Sequence, residues 1–283
     1  MEETRSLTHT PSDPDSDAQR VVSRPLPTIL EHVRARTPAR ILTGRAGAAY
    51  RTTTYLELRR DHAAARDAVC AELDLEGDLG AAFVAEWGLF EVATMARTKA
   101  EFLLRPELGR ALDPTARAAM AGRCPVGADL QVAIADGLSA AAVRAQVPAL
   151  LPLLGAEAGR RGWRLGQPFV IRHGRVGVLN EIGEVLDPVV AVLLIGERPG
   201  LATAESLSAY LAYRPRPGHD DSRRNLISNI HARGIPPEQA ADRIARLAEQ
   251  MIRLGISGIA VKEQGTSEAG LANESPIRTK LEV

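Results

Sequence analysis

Four short segments carry the residue types best able to hold a ligand. They are TGRAG at Thr43–Gly47, RPELGR at Arg105–Arg110, HGRVG at His173–Gly177 and GERPG at Gly196–Gly200. Glycine lets backbone approach a bound group closely, and arginine supplies a fixed positive charge and a planar donor fork. Such loops suit a bulky ligand that offers amides and a phosphate. They suit a subunit interface equally well, and Gly and Pro also simply make turns. No motif for ordinary catalysis accompanies them. The chain has no GxGxxG, no GxxxxGK followed by Ser or Thr, and no GxSxG. Its six histidines are scattered without an HxxxH pair, and Cys70 and Cys124 form no CxxC. The sequence therefore assigns no catalytic acid, base or nucleophile, and no metal ligand.

Composition narrows the partners. Lys plus Arg is 35 and Asp plus Glu is 35, so the net charge is zero. A phosphate-backbone binder usually shows a basic excess, which argues against nucleic acid. The longest apolar run, Val189–Ile195, is far too short to span a bilayer. Residues 1–20 contain no apolar stretch of the kind a secretory signal needs. With two cysteines and no disulfide framework, the expected home is a reducing cytoplasm, with no membrane association.

The elements that would position the loops come from periodicity. Residues 1–24 and 265–283 read as polar, disordered tails. Residues 25–125 read as a helical or mixed region, with helices at Leu26–Arg36 and Thr54–Leu73, a loop at Thr37–Thr52 and mixed structure over Phe83–Leu104. In the second helix, Leu56, Ala63 and Ala64 form the apolar side. Residues 126–264 alternate strands and helices. The strands are Asp129–Gly137, Gln167–Arg172, Val189–Gly196, Ser206–Tyr213 and Ile256–Lys262. Ser139 is placed to cap a helix that Pro148 and Pro152 should break in two. A short helix is expected at Asn180–Leu186 and a long one at Pro237–Leu254, ended by Gly255. The continuously apolar run at Val189–Gly196 should be covered on both faces. The fold class is thus α/β: a Rossmann-like sheet flanked by helices, with a mostly helical N-terminal region. Ligands in such sheets bind beyond the carboxyl ends of the strands, which selects Asp136–Ser139, Arg172–Val176 and Gly196–Gly200 as one rim.

In order and spacing, these segments resemble the small subunit (light chain) of ethanolamine ammonia-lyase. The resemblance runs through TPARILTGRAG, DHAAARDAV, RPELGR, DLQVAIADGLS, QPFVIRHGRV, IGEVL, LLIGERPGL, ESLSAYLAYRP, ISNIH and SGI, from about residue 26 to 262. It implies a hetero-oligomeric ammonia-lyase whose large subunit binds ethanolamine and carries the catalytic residues. Adenosylcobalamin, a cobalt corrinoid, would lie between the subunits, with residues 126–264 as its binding domain in this chain. The signature DxHxxG is absent, since Asp61-His62 continues with three alanines. The corrinoid would then keep its own base or take a ligand from another chain; the resemblance implies the base-on form. It also implies three cofactor contacts: Val176, Glu197 and Leu226, the last standing where the family has a cysteine. The residues themselves suggest further candidates. Asp136 and Ser139 could meet a nucleotide tail or serve a helix cap only, and Arg175 could pair with a phosphate or with a partner carboxylate. Glu205, Ser206 and Ser208 could be sheet-edge residues. A structural subunit without cofactor contact and a self-sufficient α/β enzyme are the rival readings. Members of the family are often packaged in a bacterial microcompartment through an amphipathic N-terminal helix. Residues 1–20 offer no apolar stripe for that, so the partner would have to supply it.

Overall fold

The computed structural model describes residues 28–35, 43–200 and 203–263. The tails expected at residues 1–24 and 265–283 lie outside the described residues. The chain divides into two units, the second beginning at Thr43. The described part of the first is a single helix, α1 (Thr28–Ala35), within the helix expected at Leu26–Arg36.

The second unit opens with a two-residue hairpin, β1 (Arg45–Ala46) and β2 (Ala49–Tyr50), turned by Gly47 at φ 60°. Helix α2 (Thr52–Cys70) follows, then the short helices α3 (Leu75–Leu79) and α4 (Ala81–Glu86). Strand β3 (Glu91–Ala93), α5 (Lys99–Leu104) and α6 (Pro114–Arg123) lead into β4 (Leu130–Ala135) and α7 (Ala140–Arg160). Next come β5 (Phe169–Arg172), α8 (Leu179–Leu186), β6 (Val190–Gly196), β7 (Leu207–Tyr213), β8 (Asn225–Ile230) and α9 (Pro237–Leu254).

Six strands form one sheet in the order β3-β5-β4-β6-β7-β8. The first four are mutually parallel; β7 and β8 are antiparallel additions at one edge. The α/β class with helices around a sheet holds, and the sheet is mixed. Strands β4 and β6 are fully buried along their length. Their side chains alternate between two cores, as the pleat requires. Leu130, Val132, Ile134, Val190, Val192 and Leu194 face the core built with α7 and α9. Ala133, Ala135, Ala191, Leu193 and Ile195 face the core built with α6 and α8.

Several sequence expectations need correction. Pro148 and Pro152 lie inside α7, which runs unbroken for 21 residues. Both prolines sit off the buried stripe of Val143, Val147, Leu150, Leu151 and Leu154, and the carbonyl that Pro148 frees belongs to exposed Arg144. Each interior proline costs about 3 kcal/mol, whereas each fully buried Val or Leu contributes about 1.5–3 kcal/mol, so five such residues outweigh two breaks. In α2, Leu56, Ala63 and Ala64 are exposed; the partly covered face carries Thr54, Leu58, Asp61 and Ala65 instead. The mixed stretch over Phe83–Leu104 resolves into α4, β3 and α5.

The expected last strand, Ile256–Lys262, does not form. Glycine 258, at φ 89°, breaks the extended path. The Asn225 side chain then takes the place of a neighbouring strand. It donates to the carbonyls of Gly258 (3.1 Å) and Val261 (2.8 Å) and accepts from the Gly258 N–H. Replacing it by Ala deletes three hydrogen bonds worth about 1 kcal/mol each, softened by water. Asn225→Ala should lower the unfolding free energy by about 1–3 kcal/mol in urea titrations and expose the amides of residues 258–261 to hydrogen exchange.

Candidate functional site

Helix α7 leaves the end of β4 on one face of the sheet, while α8 follows β5 on the other. Neighbouring parallel strands whose connections part in this way open a crevice at their carboxyl ends. Here the crevice holds about 340 Å³ and is lined by the loops after β4, β5 and β6 together with side chains of β7 and β8. The three loops selected from sequence do meet.

Two glycines allow the meeting. A Cβ on Gly137 would lie 2.4 Å from the Gly196 carbonyl, and one on Gly196 would lie 2.1 Å from the Ser139 carbonyl. The contact is sealed by the Leu138 N–H, which donates to the Gly196 carbonyl at 3.1 Å.

The loop after β5 is anchored to the segment containing RPELGR. His173 stands at φ 57° with Nδ1 3.0 Å from the Ala96 carbonyl, and its ring stacks on Phe102 at 5.7 Å. The Arg175 N–H donates to the Gly109 carbonyl at 2.7 Å, and its guanidinium lies 4.1 Å over the Phe102 ring. This fixes Val176 at the start of a single 3₁₀ turn, Val176–Val178, on the wall of the crevice.

Glu197 lies just past β6. Its Oε1 accepts from the Ser208 hydroxyl at 2.7 Å and from the Asn229 N–H at 2.8 Å. Among the described residues its Oε2 takes no protein hydrogen bond, and no ion pair forms with Arg198. Leu226 is on β8, paired with Tyr210, and is 47% exposed at the mouth. Val176, Glu197 and Leu226, drawn from three separate stretches of chain, therefore line one crevice.

Other candidates fall elsewhere. Ser139 accepts from the Ala142 N–H at 3.2 Å and donates to the Ala204 carbonyl, so it is a helix cap. Glu205 engages through its backbone, its carbonyl accepting from Gln146. Ser206 is buried, whereas Ser208 is part of the crevice through Glu197. The TGRAG loop shapes the β1–β2 hairpin and contributes nothing to this crevice.

Asp136 is buried beneath the rim, 1% exposed, with Lys99 Nζ 3.4 Å away and the Gly174 N–H on its Oδ1 at 3.3 Å. Lys99 also donates to the Gly137 carbonyl at 3.0 Å. Nothing in the spacing of Lys99 marked it. The pair ties the loop after β4 to the loop after β5.

A second cavity of about 660 Å³ adjoins the crevice, sharing Arg175 and Val176. Its acids are engaged: Glu181 and Glu184 with Arg117, Asp221 with Arg224, and Asp220 with the Ser222 N–H and hydroxyl. Arg110 and Arg175 have no carboxylate partner among the described residues. Burial pushes the Arg175 pKa down, and the neighbouring Arg110 and Arg198 lower it further. The arrangement pairs apolar wall, carboxylate acceptor and guanidinium donors, of which Arg175 also donates to the Phe102 carbonyl at 3.2 Å. It can grip a large polar-edged ligand.

Fold and crevice together define an α/β protein with a ligand opening at the switch point of its sheet. Comparison with known proteins makes this specific. A family model described as "Ethanolamine ammonia-lyase light chain (EutC)" matches residues 28–262. A protein of Rhodopseudomonas palustris (strain BisA53) named "Ethanolamine ammonia-lyase small subunit" is 41% identical over 256 residues, covering 89% of this chain and 97% of that one. A protein of the same name from Clostridium perfringens is 39% identical over 230 residues, 81% of this chain and 76% of its own. This chain belongs to the ethanolamine ammonia-lyase small-subunit family. Among its described residues no helix is long and apolar enough to cross a membrane.

The Lys99–Asp136 pair yields a pH prediction. Burial pushes the Asp136 carboxyl above its usual range, opposed first by Lys99 and then by His173. At 3.4 Å the ammonium is too distant for a strong charge-assisted bond, so burial wins. A folded-state pKa above the unfolded one favours folding at low pH, and that contribution is lost as pH rises through the folded value. Lys99→Met removes the main opposing charge and raises that value further. Its unfolding free energy should fall relative to wild type as pH rises from about 4 towards neutrality in urea titrations. Asp136→Asn keeps the neutral form at every pH, and Lys99 retains its bond to the Gly137 carbonyl, so its unfolding free energy should lack the wild type's decline over that range.

Proposed function

We propose that this chain helps hold adenosylcobalamin against the large subunit of ethanolamine ammonia-lyase, which carries the catalytic residues and binds ethanolamine. When bound, the cofactor supplies the radical chemistry that converts ethanolamine to acetaldehyde and ammonia. The observation that carries the reading is the convergence of Val176, Glu197 and Leu226 on one crevice.

The residues fit a corrinoid, which presents an apolar ring face, a fringe of carboxamide arms and a phosphate-linked nucleotide tail. Val176 and Leu226 offer apolar surface to the ring. The Oε2 of Glu197 is an unused acceptor suited to an amide N–H. Arg175 and Arg110, lacking carboxylate partners, offer donors for a phosphate. Leu226 stands at the family's cysteine position, where it can replace a contact made through the backbone but not one made by a thiol. Among the described residues no histidine lines the crevice, which suits a cofactor that keeps its own base. An opening of about 340 Å³ is shallow for so large a group, since pockets of ~300–1,000 Å³ enclose drug-sized ligands. That suits a cofactor covered on its other side by the partner. On this reading the parallel strands β4, β5 and β6, with helices on both faces, are the Rossmann-like part of a cobalamin-binding domain over residues 126–264, and β3 extends the sheet from the N-terminal region. The assembly works in the cytoplasm, and any packaging into a microcompartment falls to the partner.

The test uses this chain co-expressed with its large subunit. Ammonia release from ethanolamine should need both chains and adenosylcobalamin. In the assembled enzyme Glu197→Ala should weaken cobalamin binding about fivefold, the effect of losing one hydrogen bond of about 1 kcal/mol. A change in assembly with unaltered cobalamin affinity would instead identify a structural subunit without cofactor contact.

A further inference from the structure

The edge of the sheet beside Glu197 is irregular, and the irregularity is aimed at the carboxylate. Along β7 the pairing advances two residues, from Leu207 to Ala209. Along β8 it covers three, from Ile227 to Ile230. The extra residue is a β-bulge at Ser228–Asn229, opposite Ser208. Asn229 stands at φ 63°, in the left-handed region that side-chain-bearing residues seldom occupy. A regular strand would have committed the Asn229 N–H to the ladder or to solvent. The bulge frees it, and it donates to Glu197 Oε1 at 2.8 Å.

The bulge is itself held. The His231 ring bonds the Asn229 Oδ1 at 2.8 Å, and the Ile235 N–H donates to the Asn229 carbonyl at 2.8 Å. A Cβ on Gly234 would stand 2.3 Å from that carbonyl, so the turn closes tightly around Asn229. The second donor, Ser208, is 3% exposed and sits directly across the bulge. Both donors take the same oxygen. The carboxylate is therefore fixed in one orientation, with Oε2 left over.

We infer that the Ser228–Asn229 bulge is a positioning device, in which Asn229 through its backbone and Ser208 through its hydroxyl hold Glu197 as a one-sided acceptor for carboxamide N–H groups of the ligand. This rests on the reading of Glu197 as a ligand contact. Pre-set orientation matters because a free glutamate must order three side-chain torsions on binding, whereas this one has lost that freedom beforehand.

The device makes Ser208 and Glu197 act as one unit, and this is testable in the assembled enzyme with hydroxocobalamin as the probe. Ser208→Ala alone should weaken binding about threefold, and Glu197→Ala about fivefold. The double variant should match Glu197→Ala; independent effects would multiply to about fifteenfold and overturn the inference. Asn229→Val, whose branched side chain rejects positive φ, should weaken binding, and Asn229→Gly, which keeps both the φ and the N–H, should recover most of that loss. Equal loss in both would tie the effect to the Asn229 side chain and overturn the backbone role. A ligand-free readout separates this inference from the functional reading. In the cobalamin-free assembly, the Asn229 amide should exchange with deuterium about tenfold faster in Glu197→Ala than in wild type. Faster exchange with unaltered cobalamin affinity would keep the positioning geometry and reject Glu197 as a cofactor contact. Unchanged exchange would reject the positioning device.

Discussion

The rim of this protein depends on β4 and β6 lying side by side, parallel and buried on both faces. Their register sets Ala135 opposite Ile195, so the two strands end together. The next residues must then turn away within a few ångströms of each other. Only glycine at 137 and 196 leaves room for that, because a side-chain carbon at either would collide with backbone of the facing loop. The crevice is thus a consequence of strand register and of two missing side chains.

Beneath this junction the protein keeps an ionisable pair where an apolar contact would be cheaper to bury. Lys99 and Asp136 together touch the loop after β4, the loop after β5 and the start of α5. A buried pair adds little net stability once desolvation is counted, so its effect is better described as registration. It fixes three segments to one another by directional bonds that hydrophobic contact cannot supply. His173, in left-handed backbone and stacked on Phe102, serves the same loop from its other side.

The two antiparallel strands complete the site. A purely parallel sheet would leave the crevice open past β6. Here β7 and β8 extend it with Ser208, Tyr210, Leu226 and Ser228. One wall is therefore made of loops, which position backbone, and the other of strand side chains, which alternate strictly in direction. The bulge in β8 is where that strict alternation is relaxed, and it lies against Glu197.

Much of this organisation was legible in the sequence. The continuously apolar run at Val189–Gly196 announced a strand covered on both sides, Gly255 announced the end of α9, and Ser139 announced a cap. The rim loops followed from the rule that ligands gather at strand carboxyl ends, and the segments quoted from end to end pointed to the family. What sequence could not decide were matters of competition between distant parts. Local preference placed breaks at Pro148 and Pro152, but five buried apolar residues of α7 outweighed them. Local preference also made Ile256–Lys262 a strand, but the turn at Gly258 and the Asn225 amide took its hydrogen bonds. Asp136 looked like a rim residue until Lys99, 37 positions away, drew it inward. The bulge at Asn229 has no periodic signature, because it exists only relative to the strand beside it. Sequence alone determined the family, the strongly periodic helices and the strands apolar along their length, since these follow from neighbouring residues and their order, but it did not mark β8 or the covered face of α2. Tertiary structure decided which polar groups face the ligand opening and which are spent inside, since that depends on the partners packing brings within about 3 Å.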